Sequence, residues 1–167
     1  MQYVKLAMPL VCVLVSVSCS RPVARLMSKT VPVPSFAITV KLSDLAERRL
    51  RSIGETINVI AYFDGDALPG KGKYNAPFRD VYLGSDEKLV DGDLVAKFEK
   101  GTVLLSDWNR LADKDYFVTI NIVSARRVDP NNLLDCADPI SQKIQSFAGK
   151  TIAVQCRLIG EPSAPSR

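Results

Sequence analysis

The chain reads as a mainly β protein, an antiparallel β-sandwich with two short helices, on three observations. Apolar residues alternate with polar ones at period two in several short stretches, the pattern of strands buried on one face. Turn formers such as Gly84-Ser85-Asp86 and Lys100-Gly101 punctuate those stretches. Only two segments carry helical spacing, so strands do not alternate regularly with helices as a parallel βαβ sheet requires.

The first strand of the domain is set by Ile38, Val40 and Leu42, which face one way while Thr39 and Lys41 face the other. Asp44 is the expected N-cap of a helix with Glu47 at its third position, and Gly54 is its expected stop. Ala46, Leu50 and Ile53 share the inner face of that helix, leaving Arg48, Arg49 and Arg51 in water. Between Thr56 and Phe63 apolar residues occupy both faces, which predicts a central strand.

Shorter strands are expected over 79–83, 94–98 and 102–105, with a turn or short helix over 106–115 carrying Trp108 and Leu111. Tyr116 to Ala125 follows as a strand with Val118, Ile120 and Ile122 inward, and the last strand runs from Thr151 to Ile159 with Ile152, Val154, Cys156 and Leu158 inward. Before it, Asp138 as cap, Pro139 at the first position, then Ile140, Ile144 and Phe147, and finally Gly149 predict the second helix. No internal repeat is evident, which excludes a solenoid.

Ahead of the domain, Lys5 precedes an apolar stretch from Leu6 to Val17, and small residues Ser16 and Ser18 lead to Cys19. A basic start, an apolar core and small residues before a cut describe a secretory signal over 1–18. The stretch falls short of the ~20 residues a membrane-spanning helix needs. Cys19 at the first mature position resembles a bacterial lipoprotein signal, which implies a lipid on that cysteine; Ser16 stands where that pattern prefers a branched aliphatic residue. Plain secretion is the alternative. Ser20, rather than aspartate, after the cysteine implies by the same resemblance a place in the inner leaflet of the outer membrane, facing the periplasm.

Cysteine arithmetic favours the lipid. Cys12 leaves with the signal, and three cysteines are an odd number for an exported protein. Acylation of Cys19 leaves Cys136 and Cys156 to pair in an oxidising compartment, against the alternative of two reduced buried thiols. Residues 19–35 then form the acylated cysteine and an extended tether, in which Pro22, Pro32 and Pro34 hold the chain open; an edge strand over Thr30 to Val33 is the alternative. The sandwich occupies 36–160, and 161–167 is expected to be a disordered tail.

The formal net charge is +4, and its charges are interspersed, which speaks against a nucleic-acid partner. Arg126-Arg127 is the one adjacent basic pair outside the Arg48-Arg49 helix, and a solvated surface accounts for both. With no histidine in the chain, Ser-His-Asp and Cys-His catalysis are excluded, as is any zinc site that needs histidine. Asp64-Gly65-Asp66 and the Asp86-Glu87 and Asp91-Gly92-Asp93 clusters invite a calcium reading, yet they lack the ligand spacing of a calcium loop and read more simply as turns. The expectation is therefore no enzyme, no cofactor and no metal.

Leu68 to Asn75 carries glycines and lysines without the spacing of a phosphate-binding loop. Lys71, Lys73 and Tyr74 there make it a candidate partner surface, together with the polar segment from Gly84 to Asp93. The layout as a whole, an acylated cysteine, a tether and one small sandwich of immunoglobulin-like or transthyretin-like kind, is similar in outline to the small outer-membrane lipoprotein of type VI secretion systems. That likeness implies a transthyretin-like fold and a role anchoring a secretion system, with no residue carried over. The function expected from the residues is a membrane-tethered binding or assembly module of the envelope, held through Cys19 and acting on an envelope protein. A periplasmic small-ligand-binding or inhibitor domain is the alternative.

Overall fold

The computed structural model describes residues 29–71, 80–92, 94–137 and 140–162. In chain order the elements are β1 (Thr30–Pro32), β2 (Phe36–Leu42), α1 (Asp44–Ile53), β3 (Ile57–Gly65), β4 (Val81–Val90), β5 (Val95–Phe98) and β6 (Thr102–Leu104). There follow α2 (Leu105–Trp108), β7 (Phe117–Ser124), β8 (Leu134–Cys136), β9 (Ile140–Lys143), a 3-10 turn (Ile144–Ser146) and β10 (Thr151–Leu158). One four-stranded sheet has the order β5-β2-β10-β8, the other β4-β3-β7-β9, and β1 pairs with β6 as a separate ribbon.

The strands that alternate in sequence supply the core between the two sheets. Ile38 and Val40 from one sheet, Val59 and Val118 from the other, and Phe147 from beyond the 3-10 turn are all essentially inaccessible to solvent. Burial of each such side chain contributes about 1.5–3 kcal/mol. As the sequence predicts, β3 is central, flanked by β4 and β7, and it buries Ile60 on its second face as well. Every strand pair is antiparallel except β2 with β10. The exception follows from the path before β10: Gly149 N–H donates to Ser35 O and Ala37 N–H to Lys150 O, so both strands set out from the same end of the sandwich.

Several expected elements differ. The helix expected from Asp138 to Gly149 is absent where the chain is described: Ile140–Lys143 pairs with Ile120–Phe117, and only the 3-10 turn remains helical. Asp138 and Pro139 lie outside the described residues. A short helix is marginal without packing, whereas four ladder positions beside β7 satisfy backbone groups that a free edge would leave to water. Ile144 and Phe147 still reach the core, and Gly149, at φ 69°, still closes the turn.

Gly84-Ser85-Asp86 does not end a strand. Instead β4 runs through it for ten residues, with a bulge beside Phe63 and Asp64 that absorbs the irregularity at Gly84. Ser43, not Asp44, caps α1: its backbone is extended and its hydroxyl accepts from Ala46 N–H at 3.1 Å. Gly54 stops α1 as expected, in the left-handed conformation at φ 70°. The segment expected as tether joins the fold at Thr30, where β1 pairs with β6 and Val33 is buried. The expected tail begins with an anchored residue, since the Glu161 carboxylate accepts from Ser43 Oγ at 2.7 Å and from Leu158 N–H at 3.0 Å.

Tyr116 sits at the end where β3 finishes, its ring edge-on to Phe63 and Trp108. Its hydroxyl is buried without a hydrogen-bond partner. Burial, helped by the neighbouring Asp115 carboxylate, raises its pKa well above the usual tyrosine value. Tyr116→Phe keeps the ring contacts and removes an unsatisfied polar group, so thermal unfolding should show a gain of up to about 1 kcal/mol; a loss would mean the hydroxyl finds a partner in solution.

Candidate functional site

Strand directions divide the sandwich into two ends. The chain enters at the end where β2 begins: Leu105 N–H donates to Lys29 O, and Thr30 pairs with Leu104. The opposite end carries α1, the start of β3, the 125–133 loop and the chain after β10.

At the first end lies part of the segment expected to meet a partner. Lys71 is exposed, with its N–H donating to Leu68 O and its carbonyl accepting from Arg110 Nε at 3.2 Å. Ala67 bridges to Leu111, and Ala112 N–H donates to Asp66 O, so residues 66–71 are strapped to the chain after α2. Asp64 is a buried strand residue and not part of an open loop. Lys73 and Tyr74 lie outside the described residues, as does Cys19.

The second expected surface, Gly84 to Asp93, is not a loop: through Val90 it is an edge strand paired with β3. Its middle residues point an ion pair inward, Lys88 Nζ to Asp86 Oδ1 at 2.7 Å, with the ammonium 5.7 Å from the Phe98 ring centroid. Inward charge on an edge strand discourages the addition of a further strand.

Cys136 and Cys156 are joined in a disulfide, at directly opposed positions of β8 and β10. It staples the three-residue edge strand β8 to the sheet, in place of the helix start that the sequence suggests. Beside it lies an open groove of about 730 Å³ whose lining includes Asp135, Gln155, Arg157 and Glu161. Arg157 and Asp135, opposed on neighbouring strands, are paired in its lining at 2.9 Å. A smaller cavity of about 210 Å³ lies between α1 and the β4–β5 connection.

Sequence reasoning missed the best-built polar feature, which is Glu55. It follows Gly54, is only 6 % exposed, and its carboxylate accepts four backbone N–H groups. Thr56 and Arg127 donate to Oε1 at 3.0 and 3.2 Å, Val128 and Asp129 to Oε2 at 2.9 and 3.2 Å. Burial works to raise its pKa, but the hydrogen bonds from Val128, Asp129, Arg127 and Thr56 outweigh it and hold the value below the ordinary glutamate one. Successive N–H groups in such a turn form an anion cradle, and here the chain's own glutamate fills it.

The same loop is fixed at its base. Asn132 Oδ1 accepts from Ser124 N–H at 2.9 Å and Leu134 N–H at 3.1 Å, and the fully buried Ser124 hydroxyl accepts from Leu133 N–H at 2.9 Å. Arg126 is consequently held at φ 57°, a left-handed conformation costing a non-glycine residue roughly 1–2 kcal/mol. Held this way, Arg126 and Arg127 are both exposed.

Among the described residues, no cluster of three or more histidine, cysteine, aspartate or glutamate side chains is arranged to hold a metal, and no helix is long and apolar enough to cross a membrane. No family model matches the chain, and neither a curated protein nor a solved structure matches it.

Proposed function

We propose that this protein is an exported lipoprotein, acylated at Cys19 and held at the periplasmic face of the outer membrane, that works without catalysis as a binding or assembly module of the envelope. The observation that carries the reading is Cys19 itself, placed after a short apolar stretch and small residues and left over once Cys136 and Cys156 are joined. A rigid sandwich with loops pinned by buried hydrogen bonds suits presentation of a surface. The disulfide suits an oxidising compartment.

Fractionation of cells tests the anchor. Wild type should sediment with the membranes and require detergent for release, and Cys19→Ser should be soluble. Equal solubility of the two would contradict the proposal, and a hydrolytic or transfer activity abolished by substituting Asp64, Asp66 or Asp91 would contradict its non-catalytic part. The groove beside the disulfide favours a second reading, small-ligand binding, because its volume falls within the ~300–1,000 Å³ of ligand sites and it holds an Arg157–Asp135 pair. Binding of a small molecule abolished by Arg157→Ala would favour it.

A further inference from the structure

We infer that the end of the sandwich carrying α1 is a docking surface for an acidic segment of a protein partner, an inference that rests on the tethered-module reading. Hydrogen bonds join three separate segments into this one surface. Glu161 ties the chain after β10 to Ser43 ahead of α1, Ile159 N–H donates to Leu133 O, and Glu55 holds 127–129 beside the end of α1.

Charge sets the kind of partner. Arg48 and Arg49 on the outer face of α1 and Arg126 and Arg127 on the clamped loop are all exposed. Arg51 is paired with Glu47, and Arg48 lies in the field of the Glu161 carboxylate. The guanidinium groups of Arg49, Arg126 and Arg127 make no ion pair among the described residues. All these cations are arginines, whose planar forks match carboxylates two bonds at a time. Leu45 and Val128, 48 % and 57 % exposed, stand beside them and supply an apolar component.

Loop order favours recognition too. Arg126 is left-handed and Arg127 N–H is held by the buried Glu55 carboxylate, which pre-sets the backbone of the two arginines, so less freedom is lost on binding. The position favours a protein over the anchoring membrane. The chain enters the fold at the other end, and β10 alone separates the ends by about 25 Å. The α1 end is therefore the one remote from the point where the anchored chain joins the sandwich.

The test is photo-cross-linking in cells with the full-length protein, placing a photoreactive amino acid at Leu45 or Val128, at Tyr74, and at Lys97 on the exposed side of β5. The inference expects a discrete protein adduct from Leu45 and Val128, mapped to a peptide bearing several carboxylates. Yield should fall about tenfold or more in R49E/R126E/R127E, from like-charge repulsion, and return when the mapped carboxylates are reversed to lysine. Glu55→Ala should reduce the adduct from Val128 while sparing the one from Leu45. Adducts from Tyr74 or Lys97 alone would overturn this inference and leave the binding-module reading standing. Lipid adducts alone from Leu45 and Val128 would overturn it in favour of a membrane surface. A lack of adducts at every position would overturn both.

Discussion

Replacing Cys136 and Cys156 together by alanine is expected to lower the free energy of unfolding by about 2–5 kcal/mol. The disulfide closes a loop of 20 residues in sequence separation, so its removal returns about 3 kcal/mol of chain entropy to the unfolded state. The local consequence is larger than that figure suggests. Strand β8 has three residues, pairs along one side with β10, and is the outer strand of its sheet. Without the covalent link, hydrogen exchange in β8 should accelerate more than in β2 or β3, because the edge detaches before the core opens. Denaturant unfolding of the double variant checks the global value; unchanged stability would show that the ladder alone holds the edge.

The second large effect is expected at Glu55. Glu55→Ala strips the acceptor from four backbone N–H groups at a buried site, a loss of about 2–4 kcal/mol even with water entering the gap. Glu55→Gln keeps one acceptor oxygen and should lose less. The pH dependence has a definite sign. A carboxyl whose folded pKa lies below its unfolded value, 4.5 for glutamate, contributes stability that is fully present above the unfolded pKa and is lost as pH falls through the folded one. Wild type should therefore lose stability below about pH 5 more steeply than Glu55→Gln. Asp115 adds to the wild-type slope and remains in the variant: burial raises its pKa, but hydrogen bonds from Lys143, Gln145 and Tyr116 N–H and the Lys143 charge bring it below the ordinary value. Parallel stability curves for wild type and Glu55→Gln between pH 7 and 3 would contradict the clamp.

These two features differ in how far the sequence announced them. The inward face of β10 was readable because a half-buried strand writes period two into its residues, and Ile152, Val154, Cys156 and Leu158 obey it. The same logic exposed β2, the doubly apolar β3 and β7. The expectation of export, with the even remainder of cysteines it leaves, named the pair. What neither signal carried was the setting of Cys136, an edge strand of three residues too short to show a period.

The Glu55 clamp was illegible for a different reason. Three of its four bonds span 72 to 74 positions of sequence, and a single glutamate after a helix-stopping glycine has no local signature. The segment from Ile140 to Phe147 misled because its helical signals are local, while the pairing of Ile140–Lys143 with β7 that overrode them is not. Gly84 to Val90 misled likewise: a glycine and three charges look like a turn, yet Lys88 and Asp86 satisfy each other while the backbone continues its ladder with β3. Arg126 and Arg127 were visible as a pair, but only the fold brings them to the same end as Arg48 and Arg49.

Intact mass of the protein extracted from cell membranes tests the central claim most directly. The account predicts a chain that begins at Cys19, heavier than its polypeptide by more than one acyl group, since one chain alone anchors only marginally. A water-soluble protein of unmodified polypeptide mass, wherever its chain begins, would contradict it.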